Sequence, residues 1–92
     1  MKLRSIIRGV GSYLPSNIIT NEQLSSGLDT SDDWITARTG IKQRHFASDG
    51  ELTSDLAIAA VKNALKAATI DPKEIDLFLV ATATPDNTFP AT

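Results

Sequence analysis

Residues 29–45, DTSDDWITARTGIKQRH, gather three aspartates, the sole tryptophan, three basic side chains and the sole histidine of a 92-residue chain into one short stretch. If a helix starts near Ser31, then Thr30, Trp34 and Arg38 stand at i, i+4 and i+8. That spacing sets a hydroxyl, an indole and a guanidinium in a row along one face and its lip. Such a row suits a base bearing phosphates. Stacking on an aromatic ring is worth about 1 to 3 kcal/mol, and arginine offers phosphate oxygens a rigid fork of donors. Lys42 and Arg44 add positive charge nearby. Spacing alone leaves a second reading open, in which Trp34 is core, Arg38 is a solvated helix residue, and Asp32 and Asp33 are acids well placed in a first turn. Ile35 points elsewhere and can anchor the helix to a core, which leaves Trp34 free to be exposed.

Catalytic chemistry is harder to find. Asp32 and Asp33 are adjacent on a helix, diverge by about 100°, and cannot work as an acid/base couple across one substrate. His45 sits beside Arg44 and Phe46 with no evident base, nucleophile or metal co-ligand, so it reads as structural. The chain has no cysteine. That removes a disulfide scaffold, a cysteine-ligated metal and any thiol nucleophile from these residues. The sequence therefore yields no catalytic residue and no metal site.

The elements that must position the row follow from capping signals and periodicity. LRSIIRGVGSYLP, residues 3–15, predicts a strand ending at Pro15. Gly9 and Gly11 do not make a dinucleotide loop, because position 14 is Leu14 and no helix opens there; they read as glycines that let a bent strand approach a neighbour closely. Thr20 with Gln23 forms a capping box for a short helix ending at Gly27. A second helix starts at Thr30 or Ser31, with Asp32 and Asp33 in its first turn and Gly40 as its stop. IKQRHFA predicts a strand. TSDLAIAAVKNALKAATID predicts a helix capped at Thr53 or Ser54, with Ile58, Val61, Leu65 and Ala68 on the stripe that packs on a sheet. IDLFLVATA, residues 75–83, predicts a central parallel strand, because its run from Leu77 to Ala81 is apolar on both faces. TPDNTFPAT follows with no capping element.

The expected fold class is thus α/β, in the order β-α-α-β-α-β, with no internal domain boundary over residues 1–92. A buried-type strand followed by no crossover predicts a fold that is incomplete as it stands. Composition agrees with a folded domain: 41% of residues are apolar and 22% charged. At this length a domain buries only about 60 to 70% of its unfolded-chain surface, so the core is thin. The net charge of −2 gives no basic field for nucleic acid or an acidic membrane. Arg8 interrupts any apolar leader and no run reaches membrane-spanning length, which predicts a cytoplasmic protein.

GVGSYLPSNIITNEQL, DTSDDWITARTGIKQRH and LVATATPDNTFPAT together closely resemble the N-terminal portion of β-ketoacyl-acyl carrier protein synthase III, from about Ile7 to Pro90. That family is the initiating condensing enzyme of bacterial type II fatty-acid synthesis. The resemblance implies a thiolase-like layered αβαβα fold, built of two related halves and usually homodimeric. It implies an acyltransferase that moves an acyl group, typically acetyl, from coenzyme A onto a cysteine, then condenses it with malonyl-acyl carrier protein and releases carbon dioxide. Coenzyme A thioester is then a substrate, with no permanently bound cofactor. Residue by residue, Trp34 matches the tryptophan that stacks on the adenine of coenzyme A, Thr30 a neighbouring adenine contact, and Arg38 a contact to its phosphates. Phe89 matches a phenylalanine that reaches the partner subunit's acyl pocket. The family's cysteine, histidine and asparagine have no counterpart in these 92 residues, and His45 does not correspond to the catalytic histidine, so this stretch alone is expected to be inactive. Two other expectations stand beside this one: a non-enzymatic module that binds a coenzyme A-like nucleotide or a partner, and a sibling thiolase-fold synthase.

Overall fold

The computed structural model describes residues 3–88, and the chain divides into two units, residues 14–50 and residues 3–13 together with 51–88. The first unit contains strand β1 (Asn17–Thr20), helix α1 (Asn21–Ser25), helix α2 (Asp32–Thr39) and strand β2 (Gln43–Phe46). The second contains helix α3 (Thr53–Ala68) and a 3-10 turn, Pro72–Glu74.

In residues 14–50 the capping signals act as the sequence predicts. The Thr20 hydroxyl accepts from the Gln23 N–H at 3.2 Å, and the Gln23 side chain accepts from the Thr20 N–H at 2.9 Å. α1 ends before Gly27: Ser26 is the cap, and its hydroxyl bonds the Gln23 carbonyl at 2.7 Å. α2 is capped by Ser31, whose hydroxyl accepts from the Trp34 N–H at 3.2 Å. It stops at Gly40, which takes the left-handed φ of 71° and donates to the Thr36 carbonyl at 2.8 Å. β1 and β2 pair antiparallel, with Ile18 opposite His45 and Ile19 opposite Arg44. β1 lies just beyond Pro15, where the sequence reading had its first strand already ended. Ile18, Ile19 and Thr20 are a β-branched run, and β2 gives them a ladder.

In the other unit, the strands predicted over residues 3–15 and 75–83 do not form. The observed order is β-α-α-β-α, followed by the 3-10 turn and irregular chain. A strand is defined by its partner, and among the described residues the one ladder is β1 with β2. The apolar side chains of these segments stay open: Ile7 is 88% exposed and Leu79 86%. α3 consequently packs on no sheet. Its Val61, Leu65 and Ala68 line an open apolar groove of about 640 Å³ with Ile6, Ile75 and Phe78, while Ile58, expected on the same stripe, is half exposed.

Residues 9–12 nevertheless lie directly against α3. A Cβ on Gly9 would stand 2.7 Å from the Ala68 Cβ, and one on Gly11 would stand 2.6 Å from the Ala60 carbonyl oxygen and 2.8 Å from the Ala64 Cα. The Asn63 amide donates to the Ser12 carbonyl at 2.9 Å. Close approach is therefore the role of both glycines, as the sequence predicts.

The start of α3 departs from prediction. Leu52 is the N-cap and Thr53 is already helical. The orphan donors are satisfied from elsewhere: the Leu52 N–H by Asp55 at 2.9 Å, and the Ser54 N–H by the Asp86 carboxylate at 3.0 Å. The Thr53 hydroxyl donates to the Thr84 carbonyl. The segment after the predicted last strand thus reaches the start of α3, across 32 residues.

Candidate functional site

α2 carries the row read from the sequence, and the structure separates its core residue from its exposed ones. Ile35 is buried at 7% exposure, whereas Trp34 is 56% exposed. The reading of Trp34 as a core residue is thereby set aside. One turn on, the Arg38 guanidinium lies 5.0 Å from the centre of the indole ring, a cation–π stack. Thr30, Trp34, Asp29 and Ser31 line a shallow, open depression of about 400 Å³. The Thr30 N–H is used by the Leu28 carbonyl at 2.9 Å, but its buried hydroxyl oxygen has no hydrogen-bond partner among the described residues. Phe89 lies outside the described residues.

The basic side chains divide. Arg44 is half-buried and donates through Nη2 to the Asn21 side-chain oxygen at 2.7 Å, so it is turned into the fold and does not add an anion contact beside Trp34. Lys42 acts electrostatically on Asp32. His45 is structural: its Nδ1 lies 2.5 Å from the Pro15 carbonyl oxygen, which can only accept, so Nδ1 carries the proton. Among the described residues no cluster of three or more histidine, aspartate or glutamate side chains could hold a metal ion, and no helix is long and apolar enough to cross a membrane.

Sequence reasoning missed Asn21, which is 1% exposed. Its Nδ2 donates to Asp32 Oδ1 at 2.9 Å and to the Ile41 carbonyl at 2.7 Å. These partners are 11 and 20 residues away, and no local spacing signals them. The hydrogen bond from Asn21 is also the main reason that the Asp32 carboxyl titrates below the ordinary carboxylate range. Partial burial opposes the shift, and the Thr36 hydroxyl and Lys42 reinforce it. A carboxylate with a depressed folded-state pKa stabilises the fold above its unfolded value and loses that contribution as pH falls through the folded one. Acid titration followed by circular dichroism should therefore show Asp32→Asn losing less stability than the wild type as pH falls through and below the ordinary aspartate value of about 4. Parallel acid curves for the two proteins would contradict this role of Asp32.

No family model matches the chain. Known proteins do match it along its whole length. It is 58% identical over 92 residues to the β-ketoacyl-[acyl-carrier-protein] synthase III of Bradyrhizobium sp. strain BTAi1, and 59% identical over 92 residues to that of Hyphomonas neptunium. Each alignment covers 100% of this chain and 28% of the relative, so the chain spans little more than a quarter of the length of the proteins it matches. Among solved structures, the crystal structure of 3-oxoacyl-[acyl-carrier-protein] synthase III from Aquifex aeolicus superposes with a TM-score of 0.81 at 48% identity, over 92% of this chain and 27% of that one. In sequence and in backbone alike, the chain is similar to the N-terminal portion of β-ketoacyl-acyl carrier protein synthase III, and its α/β fold is that of the corresponding part of a thiolase-like condensing enzyme.

Proposed function

We propose that these residues are the N-terminal segment of a synthase that condenses acetyl-coenzyme A, or another acyl-coenzyme A primer, with malonyl-acyl carrier protein to start fatty-acid elongation. In this reading the segment belongs to a single thiolase-like domain of a cytoplasmic homodimer. It forms part of the coenzyme A entrance, and the acyl-enzyme chemistry is carried by residues outside it, since a thiolate nucleophile requires a cysteine and these residues have none. Phe89 is assigned to the acyl pocket of the partner subunit on the family resemblance. Coenzyme A thioester is the substrate, and no resident cofactor is invoked.

One observation carries the assignment of α2: an exposed indole, stacked with a guanidinium, at the edge of a depression that Thr30 also lines. Adenine lies on the apolar face of Trp34, Thr30 forms part of the wall beside it, and Arg38 supplies donors to phosphate oxygens. The stack on Trp34 holds Arg38 near that pose before ligand arrives, which reduces the rotamer entropy lost on binding.

Arg38→Ala tests the phosphate role. Coenzyme A affinity should fall about threefold to tenfold at low salt, and the gap to wild type should narrow as ionic strength rises, because an exposed charge contact is screened. An affinity loss that does not change with salt would assign Arg38 a packing role instead.

A further inference from the structure

We infer that Asn21 is a positioning residue for the ligand-binding row, acting through the pose of α2; the inference rests on the coenzyme A reading above. Asn21 is the one fully buried side chain among the described residues, and all of its polar groups are engaged. Its N–H donates to the Lys42 carbonyl at 3.1 Å and its own carbonyl accepts from the Ser25 hydroxyl at 2.6 Å. Its side-chain nitrogen holds Asp32 in the first turn of α2 and the Ile41 carbonyl just past the Gly40 stop, so one amide grips α2 at both ends. Its side-chain oxygen accepts from Arg44 on β2. Asp32 is held in turn by the Thr36 hydroxyl at 3.2 Å.

Apart from this clamp, α2 has a single buried apolar anchor, Ile35. One anchor fixes the distance of a helix from its neighbours but constrains its rotation weakly, so the clamp sets which way Trp34 and Arg38 face. Both move with α2, whereas Thr30 belongs to the loop that enters it; the depression they share depends on the helix keeping its rotation. Only an amide satisfies the position. It offers two donors, toward a carboxylate and a carbonyl, and one acceptor, toward a guanidinium. Aspartate would set acceptor against acceptor at Asp32 and Ile41, and alanine would leave Asp32 without its main donor.

The test uses coenzyme A as the probe in the full chain, with far-ultraviolet circular dichroism to confirm folding. Asn21→Ala and Asn21→Asp should keep their helical signal and lose about tenfold or more in affinity, the scale expected when a supporting contact lets a binding group drift. The exchange Asn21→Asp with Asp32→Asn returns one donor and one acceptor to that pair but leaves a carboxylate facing the Ile41 carbonyl, so it should recover part of the affinity lost in Asn21→Asp, not all of it. Folded single variants that bind like wild type would overturn the role. If the single variants do not fold, the exchange decides: folded with affinity partly recovered supports it, folded with affinity lost overturns it. A wild type that does not bind coenzyme A overturns the ligand reading alone. The near-ultraviolet ellipticity of Trp34 in the exchange and Asn21→Asp variants then supports the positioning role if it is lost in the single variant and restored in the exchange, and overturns it if neither variant alters it.

Discussion

Gly11→Ala should destabilise the chain by about 2 to 3 kcal/mol or more, at the upper end of the range for overpacked sites. The reason is what the new methyl would meet. Its nearest neighbours are the Ala64 backbone nitrogen, the Ala60 carbonyl oxygen and the Ala64 Cα, all backbone of α3, which cannot swing aside as the end of a long side chain would. Relief requires residues 9–12 to lift from the helix, which also stretches the hydrogen bond from Asn63 to Ser12. Gly27→Ala is the matched control. Nothing lies within 4 Å of a Cβ at Gly27, and its backbone is not left-handed, so its effect should stay within about 0.5 kcal/mol. Urea titration of both variants checks the pair; a Gly11→Ala midpoint equal to that of Gly27→Ala would contradict the close approach.

Trp34→Ala should have the largest effect on ligand binding. Removing an aromatic platform for one base costs about 1 to 3 kcal/mol, or about fivefold to 150-fold in affinity. The side chain is 56% exposed and Ile35 supplies the buried contact of α2, so folding stability should change little. In the proposed enzyme the loss falls on KM for the acyl-coenzyme A primer and much less on kcat at saturation, because the adenine end is remote from the reacting carbon. A fall in kcat with KM unchanged would place Trp34 in a different role.

What could be read from the sequence was what is local. Thr20 with Gln23, Ser31 at the head of α2 and Gly40 at its end act within four residues, and each appears in the structure as its side-chain chemistry requires. The spacing of Trp34 and Arg38 predicts a shared face, on which the structure stacks them, and Ile35, predicted to point elsewhere as the core anchor, is the buried residue of α2. What could not be read depended on residues far apart in the chain. Asn21 looks like an ordinary first-turn residue until Asp32, Ile41 and Arg44 are brought around it. Asp86 completes the start of α3 from 32 residues away. The strands predicted at 3–15 and 75–83 failed for a related reason: alternation and β-branching indicate that a segment suits a sheet, but only a neighbouring strand makes it one. The exposed runs around Ile7 and Leu79 have that character without a ladder partner among the described residues.

Trp34 is the only tryptophan in the chain, so its fluorescence reports the proposed site with no other indole contributing. Coenzyme A titrated into the full chain should quench that emission along a saturating curve. Adenosine 3′,5′-bisphosphate, which carries the base and phosphates without the thiol arm, should compete for the same site. Emission unchanged by coenzyme A at concentrations up to about the millimolar range, where weak specific sites fill, would contradict the assignment of Thr30, Trp34 and Arg38 to a coenzyme A entrance.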